Sequence, residues 1–168
     1  MLRVLAWIDR ALGALLKPVV FAGMVGLSLV ITLQIVSRVA FTSVPWTEEV
    51  ARFLLIWTTF LGATLAFQQG RHIAVSILRD RLPPLPRRIV ALAGTLVILA
   101  FLIMLAIIGT RYMNVQSFQR SPSLRLSMFW VYAVMPVSAV LMAVLAVIDV
   151  VRILAGKELR DAPGELAE

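Results

Sequence analysis

Four long runs without a charged residue constrain this chain more than any other feature of its sequence. The runs contain no Asp, Glu, Lys, Arg or His and cover residues 18–37, 53–70, 89–110 and 126–148. A helix needs roughly 20 residues to cross about 30 Å of hydrocarbon. Because unpaired backbone polar groups are costly in lipid, such a run can cross only as a helix. The sequence therefore predicts an all-α integral membrane protein with four transmembrane helices.

The four spans are expected to form one unit with short additions at both ends. We predict a single four-helix transmembrane domain over residues 1–155 and a short cytoplasmic tail over 156–168. The spans are expected at about 18–38, 46–69, 88–110 and 127–151. Residues 1–17 place leucines opposite a regular series of cations, which predicts an N-terminal amphipathic helix in the membrane interface. A solvated lead-in to the first span is the alternative.

Basic residues collect on one side of the predicted bundle. They precede the first span, lie between the second and third spans, or follow the fourth: Arg3, Arg10, Lys17, Arg71, Arg79, Arg81, Arg87, Arg88, Arg152, Lys157 and Arg160. Cytoplasmic loops carry an excess of Lys and Arg, so this distribution places both termini in the cytoplasm. The net charge of +7 therefore reflects membrane orientation. Since no RNA- or DNA-binding motif accompanies it, we expect membrane lipids but no nucleic acid as partners.

The chain lacks the residue sets on which most catalytic and cofactor sites depend. It has no cysteine, which excludes disulfides, thiolate catalysis and zinc–thiolate sites within the chain. Its single histidine, His72, excludes bis-histidine haem ligation by this chain alone. It also has no paired-carboxylate site, phosphate-binding loop or HExxH metal motif. We therefore expect a protein that is not an enzyme, with no cofactor and no metal site of its own.

Charged residues are concentrated where the second span begins. Pro45 suits the first helical position, and Glu48 and Glu49 then occupy the first turn, near the positive end of the helix dipole. Arg52 follows Glu48 by four residues, the favourable order for an ion pair. Two roles remain open for this group: a structural ion pair, which Arg38 at the end of the first span joins, or docking of a soluble partner. The helical spacing already supplies a partner, which favours the structural role.

The second span divides into a small, polar face and a bulky, aromatic face. The small face comprises Glu48, Arg52, Leu55, Thr59, Gly62, Ala63 and Ala66, and the bulky face Trp46, Val50, Phe53, Trp57, Phe60 and Leu61. Small residues let transmembrane helices approach closely, so the small face is predicted to pack against a helix and the bulky face to meet lipid or a second protein. The residues predicted for helix packing are Gly23, Gln34, Thr59, Gly62 and Ala66. Those predicted for the lipid or subunit face are Trp46, Phe53, Trp57 and Phe60.

Further signals follow the third span. The loop after it is basic, and its docking candidates are Arg111, Arg120 and Arg125. An exposed basic loop often has no specific partner, and this remains the alternative.

Pro136 predicts a kink in the fourth span. Asp149 and Arg152 are three residues apart and are predicted to pair at the end of that span.

One series of motifs resembles a known family. It comprises Ser37-Arg38, Pro45-Trp46-Thr47-Glu48-Glu49-Val50-Ala51-Arg52, Trp57-Thr58-Thr59-Phe60-Leu61-Gly62-Ala63 and Gly70-Arg71-His72-Ile73-Ala74-Val75. In combination, over about residues 37–78, the series resembles the small membrane subunit of tripartite ATP-independent periplasmic (TRAP) transporters, the DctQ-like Q-type permease. The remainder of the chain agrees with that family in the number, length and topology of its spans.

The resemblance implies a multi-pass protein of the bacterial inner membrane that works with two partners. In that family a periplasmic substrate-binding protein captures an organic acid, and a large multi-span permease subunit moves it by a sodium-driven elevator motion. The small subunit is expected to brace the stationary scaffold of the large one and to help dock the binding protein. The substrate and sodium sites belong to the large subunit, so none is assigned to this chain. The solute, the subunit stoichiometry and the helix that faces the large subunit stay open.

Two other classes of protein fit the same four spans. An autonomous four-helix exporter would work as a homodimer and needs a membrane-embedded carboxylate, whereas the acids here lie at span ends. A membrane anchor of a respiratory enzyme would bind haem or quinone between its helices. With a single histidine, such an anchor would need a haem ligand from another chain.

Overall fold

A computed structural model of the chain describes residues 2–40, 44–70 and 84–155. The helices are α1 (Leu2–Val39), α2 (Pro45–Gly70), α3 (Pro84–Val115), a short 3₁₀ helix (Gln116–Phe118), α4 (Met128–Tyr132) and α5 (Val134–Leu154). No β-strand occurs in these residues beyond one isolated bridge between Arg120 and Ser127. Four stretches are long and apolar enough to cross a membrane, and they are Leu5–Val39, Pro45–Gln69, Arg88–Phe118 and Met128–Leu154. The fold is therefore the predicted all-α, four-span membrane bundle.

Two predicted features fall outside this description. The tail at 156–168 and the motif that contains His72 both lie outside the described residues. The amphipathic segment before the first span is described from residue 2 onward, and it is continuous with that span.

Helix α1 joins the amphipathic segment and the first span without a break. It runs for 38 residues and contains Pro18 in its interior. At 1.5 Å per residue it is about 57 Å long, far longer than the roughly 30 Å of hydrocarbon that one span crosses. Helix α1 is therefore longer than a single membrane span requires.

The fourth span is interrupted near Pro136, where a kink is predicted. Helix α4 ends at Tyr132, Ala133 forms the turn, and α5 begins at Val134, so that Pro136 is its third residue. The Ala133 N–H donates to the Phe129 carbonyl at 3.0 Å, which closes α4 before the turn. Proline has no N–H to donate to the carbonyl four residues earlier, so the helix ladder is weakest at this point.

The long helices pack in the spatial order α1, α2, α5, α3. Helix α1 packs mainly on α2, α2 packs on α5, and α3 packs mainly on α5. The buried residues of α5 are Val134, Pro136, Ser138, Ala139, Leu145, Ala146, Ile148, Asp149 and Ile153. The two flanking helices expose large apolar side chains instead, among them Phe21, Met24, Leu29, Val97, Phe101 and Met104. The interior of the bundle is thus built around α5 and α2, and α1 and α3 face outward.

Along most of its length, α2 turns the predicted bulky face inward and the predicted small face outward. Leu61 is buried, and Trp57 and Phe60 pack against a core cluster that it forms with Leu16 and Val134. Four residues of the predicted packing face are exposed instead: Leu55, Thr59, Ala63 and Ala66. The reason is volume, because a helix at the centre of a bundle needs bulky side chains to fill the space between its neighbours. Trp46 is exposed, as predicted for the outward face.

Close approach does occur where α1 meets α2, through glycines. A Cβ atom at Gly23 would lie 2.7 Å from the Thr58 Oγ1 atom, so a larger residue there would force the helices apart. A Cβ atom at Gly62 would lie 3.9 Å from Val20, in ordinary contact. Both glycines therefore face the α1–α2 contact, whereas Gln34 is half-buried near the far end of α1.

Candidate functional site

Polar contacts tie the bundle together at both of its ends. The loop end is the end at which α2 begins and which carries the loop between α3 and α4. The terminal end is the end at which α1 begins and α5 finishes. Charged side chains gather at both ends, and the four uncharged runs of the sequence lie between them.

Glu49 fastens the loop at the loop end. Its Oε1 atom accepts the Ser123 N–H at 2.7 Å, and its Oε2 atom accepts the Leu124 N–H at 3.0 Å. The acidic residue in the first turn of α2, where the helix dipole favours a negative charge, is Glu48, and Glu49 directly follows it. One carboxylate thus joins the start of α2 to a loop more than seventy residues later in the chain.

The loop is a tight turn that presents those two N–H groups. The Ser121 N–H donates to the Leu126 carbonyl at 2.9 Å, and the Arg125 N–H donates to the Ser121 carbonyl at 3.1 Å. The buried Ser121 hydroxyl also accepts the Leu126 N–H at 3.2 Å. Arg125 has a φ of 54°, in the left-handed region that non-glycine residues seldom adopt. The turn therefore holds a strained backbone geometry with several hydrogen bonds of its own.

Glu48 and Arg52 form a separate ion pair on the surface. The Arg52 Nη2 atom lies 2.9 Å from the Glu48 Oε1 atom, and both side chains are more than half exposed. Such an exposed pair contributes about 0.3–0.5 kcal/mol to a helix. The structure does not bring Arg38 to this pair, because Arg38 lies beside Gln34 at the end of α1.

An open cleft of about 470 Å³ lies beside the ion pair. It is lined by Pro45, Glu48, Glu49, Arg52, Phe53, Pro122, Ser123 and Met128. Phe53, which was predicted to face lipid or a subunit, therefore contributes to the wall of this cleft. The loop end thus combines a fixed turn, an exposed pair of opposite charges and a shallow cavity.

The three basic docking candidates are exposed at the loop end. They are Arg111 near the end of α3, Arg120 in the isolated bridge, and Arg125 within the turn. Within the described part of the chain, none of them forms an ion pair. Their positive charges are therefore available to a partner.

Asp9 is the centre of the contact at the terminal end. Its relative exposure to solvent is 2%. Its Oδ2 atom lies 3.1 Å from Arg152 Nη2, and its Oδ1 atom accepts a hydrogen bond of 3.0 Å from Gln68 Nε2. The same Gln68 nitrogen also donates to the Asp9 backbone carbonyl. We call Asp9, Gln68 and Arg152 the terminal cluster, and it joins α1, α2 and α5.

Two neighbours support the terminal cluster. A Cβ atom at Gly13 would lie 2.7 Å from Gln68 Oε1, so a larger residue there would require the amide group to shift from its present position beside Asp9. Asp149 Oδ1 lies 3.9 Å from Arg152 Nη1, which is the i, i+3 contact that the sequence predicts. Arg152 therefore lies between two buried carboxylates, one on its own helix and one on α1.

Sequence reasoning missed Asp9 and Gln68. Asp9 carried a usable signal, since no other acidic residue occurs before Glu48. An isolated acid among apolar and basic residues at a membrane boundary needs a partner. Gln68 carried no comparable signal, because a glutamine near the end of a span is ordinary.

The fold and these contacts define a multi-pass helical membrane protein. The family model of the DctQ component of tripartite ATP-independent periplasmic transporters matches residues 27–156, and the chain belongs to this family. This is the family of the small permease component of TRAP transporters, a transport family rather than an enzyme family, and its four apolar helices make the chain a multi-pass protein of the inner membrane.

Several relatives carry the same kind of domain. The isethionate TRAP transporter permease protein DctMQ of Oleidesulfovibrio alaskensis is 32% identical over 153 residues, which cover 84% of this chain and 23% of the relative. A putative TRAP transporter small permease protein of Haemophilus influenzae is 44% identical over 59 residues, or 34% of this chain and 37% of the relative. The sialic acid TRAP transporter permease protein SiaT of Haemophilus influenzae is 29% identical over 65% of this chain and 18% of the relative. The chain thus spans well under half the length of these three relatives.

Proposed function

We propose that this chain braces the large permease subunit of a TRAP transporter and helps to dock a periplasmic binding protein during sodium-driven uptake of an organic acid. The observation that carries the proposal is the match to DctMQ, in which the aligned domain makes up only 23% of a longer permease protein. In that relative the domain is covalently part of a larger permease. We therefore expect the same domain in this chain to bind a large permease and to function together with it. The large subunit would supply the substrate and sodium sites.

The distribution of charge supports this division of labour. Transporters place ionisable residues or broken helices near the middle of the membrane, where substrate and coupling ions bind. Here the four uncharged runs occupy that depth, and the charges gather at the ends of the bundle. The outward apolar side chains of α1 and α3 offer surface for contact with a partner within the membrane.

The loop end suits the docking of a soluble protein. The excess of basic residues at the opposite side favours cytoplasmic termini, which would turn the loop end towards the periplasm. Glu49 holds the turn in place, so Glu48, Arg52 and the three basic docking candidates would be presented on a fixed surface. Charges of both signs in fixed positions favour orientation and fast encounter more than raw affinity.

The first experiment is purification of the tagged chain from its native membranes in a gentle detergent, followed by mass spectrometry. We expect a large multi-span protein in near-equal amount. Recovery of this chain alone as a stable homodimer would overturn the bracing role and favour an autonomous exporter.

Docking is tested separately on the purified complex. Binding of the periplasmic protein is measured at two salt concentrations for the wild type, Arg52→Gln and Arg125→Gln. We expect at least one variant to slow association and to weaken its salt dependence, while the complex stays intact. Arg10→Gln, at the opposite end, is the matched control, and equal association rates for all four proteins would contradict docking at the loop end.

A further inference from the structure

We infer that the outward face of α3 binds the large permease subunit, and that this subunit offers a carboxylate to Arg111. This surface rests on the proposed function and deepens it, because it fixes the place where the large subunit would bind. Three features of α3 support it: a continuous exposed face, the depth of Arg111 in the bundle, and the apolar side chains that lie beyond Arg111.

One face of α3 is exposed along most of the helix. The side that packs on α5 carries the buried residues Ala91, Thr95, Leu102 and Gly109. On the opposite side, exposed residues follow one another at spacings of four and three, and they are Val97, Phe101, Met104, Ile108, Arg111 and Val115. We call these six residues the α3 stripe. Their average spacing of 3.5 residues is that of a seam along which one helix packs against another.

Arg111 lies deeper in the bundle than the start of the fourth span. A Cβ atom at Gly109 would lie 3.3 Å from the Pro136 Cδ atom, and the ring centroids of Tyr112 and Tyr132 are 5.0 Å apart. Arg111 is therefore level with the segment from Tyr132 to Pro136, whereas the fourth span begins at Met128. Four residues of helix are about 6 Å long, so the Arg111 backbone lies at least that far inside the span. A cation at that depth needs an anion.

The described part of the chain does not supply this anion. The ion pairs among the described residues join Arg52 to Glu48 and Arg152 to two aspartates, so Arg111 takes part in none of them. The sequence has no acidic residue between Asp80 and Asp149. At the loop end, Glu49 is engaged by two N–H groups of the turn. Two external sources remain, a lipid phosphate and a carboxylate of a partner subunit.

Val115 and Phe118 favour the partner subunit. They follow Arg111 by four and seven residues towards the loop end, and their side chains are 71% and 93% exposed. Arginine can extend its charged group towards a phosphate at the membrane surface. A phosphate at Arg111 would leave these two apolar side chains among headgroups and water. An apolar helix with one Asp or Glu covers all three residues at once.

Photo-crosslinking in native membranes tests the surface with two isoleucines of α3. Ile108 belongs to the α3 stripe, whereas Ile103 lies on another side of the same helix, and both are 49% exposed. A photoreactive residue replaces one or the other in the full chain. We expect Ile108 to give an adduct with the large subunit and Ile103 to give none.

Charge substitution tests the carboxylate that Arg111 would meet. With Arg111→Glu in the tagged chain, we expect about tenfold less large subunit per tagged chain after purification in a gentle detergent, because two like charges would then face each other in a desolvated contact. Arg88→Glu is the matched control and should keep the wild-type recovery. Arg88 is an exposed arginine of the same helix, and its position nine residues before Val97 places it on the opposite side from the stripe.

A second-site change identifies the carboxylate. Each Asp and Glu in the predicted spans of the large subunit is changed to Arg, one at a time, together with Arg111→Glu. We expect one such pair to restore recovery of the complex. If Arg111→Glu does not give a monodisperse chain, Arg111→Gln takes its place, and a smaller loss of the large subunit is expected.

The outcomes distinguish this surface from the proposed function. If the wild-type chain purifies without a large subunit, the proposed function is contradicted and the surface with it. If the wild-type complex is intact but Ile108 and Ile103 react equally, or Ile108 reacts with phospholipid alone, only the surface is contradicted. Equal recovery of the large subunit with the wild type, Arg88→Glu and the Arg111 variant would overturn the pairing of Arg111 with a carboxylate.

Discussion

Glu48 and Glu49 are adjacent in sequence and have different partners. One step along a helix turns a side chain by about 100°, so neighbouring residues face different surroundings. Glu49 points at the turn and accepts two backbone N–H groups, whereas Glu48 points outward and meets Arg52. Glu49 therefore has a structural role at the turn, whereas Glu48 forms the predicted ion pair on an exposed surface.

Replacing Glu49 by Gln should loosen the turn. The amide has only one oxygen in place of the two carboxylate oxygens that now accept from Ser123 and Leu124. We expect the amide protons of these two residues to exchange with solvent several times faster than in the wild type, as measured by hydrogen exchange. Glu48→Gln is the matched control and should leave the exchange unchanged. Equal exchange in all three proteins would show that the turn holds its shape without Glu49.

At the scale of single helices, α2 shows what side-chain size can and cannot predict in a membrane. Lipid is as apolar as a protein core, so hydropathy does not tell the inner face from the outer one. Side-chain size is then the remaining signal, and on α2 it predicted the wrong face for packing against another helix. Phe60 packs inward, whereas Thr59 and Ala66 are exposed. The rule of small residues holds only where two backbones meet, as at Gly23.

The sequence predicted the features that depend on neighbours along one helix. The four spans, the ion pair of Glu48 with Arg52 and the contact of Asp149 with Arg152 all follow from length or from helical spacing. The contacts of Asp9 with Arg152 and of Glu49 with the turn join residues far apart in sequence. No periodicity within a helix can indicate such partners, because they depend on how the helices assemble.

Gly23→Leu should separate α1 from α2. Its first side-chain carbon would lie 2.7 Å from Thr58 Oγ1, and overpacking of this kind typically costs about 1–3 kcal/mol. We expect a lower midpoint of thermal unfolding in detergent, measured by loss of the monodisperse peak on size-exclusion chromatography. Ala22→Leu adds the same side chain at an exposed neighbouring position and should leave the midpoint unchanged. The prediction would be wrong if both variants unfolded at the same temperature.

Across the whole molecule, the two central helices of the packing order, α2 and α5, lie between two helices that are mostly exposed. Helix α5 buries nine residues, whereas the flanking helices α1 and α3 present a series of large apolar side chains. Lipid can cover such a surface, and so can another membrane protein. Because α1 and α3 lie at opposite edges of the packing order, one partner helix layer would cover one edge and leave the other to lipid.

Photo-crosslinking in native membranes can identify the covered edge. A photoreactive residue is placed at Leu29 on α1, at Phe101 on α3, at Thr59 on the exposed face of α2, or at the fully buried Leu145 as the control. We expect Leu29 or Phe101 to give adducts with the large permease subunit, since both side chains are exposed on the outward apolar faces of α1 and α3. Leu145 should give only adducts within the chain.

Each alternative arrangement gives a different adduct pattern. Adducts from Thr59 alone would move the interface to the small face of α2, where the sequence first placed a packing surface. Adducts between two copies of this chain would instead indicate a homodimer. If neither Leu29 nor Phe101 yields the large subunit, both edges face lipid, and bracing through α1 or α3 is contradicted. The edge that reacts is the edge that contacts the large subunit. A photoreactive side chain forms an adduct only with groups that lie next to it.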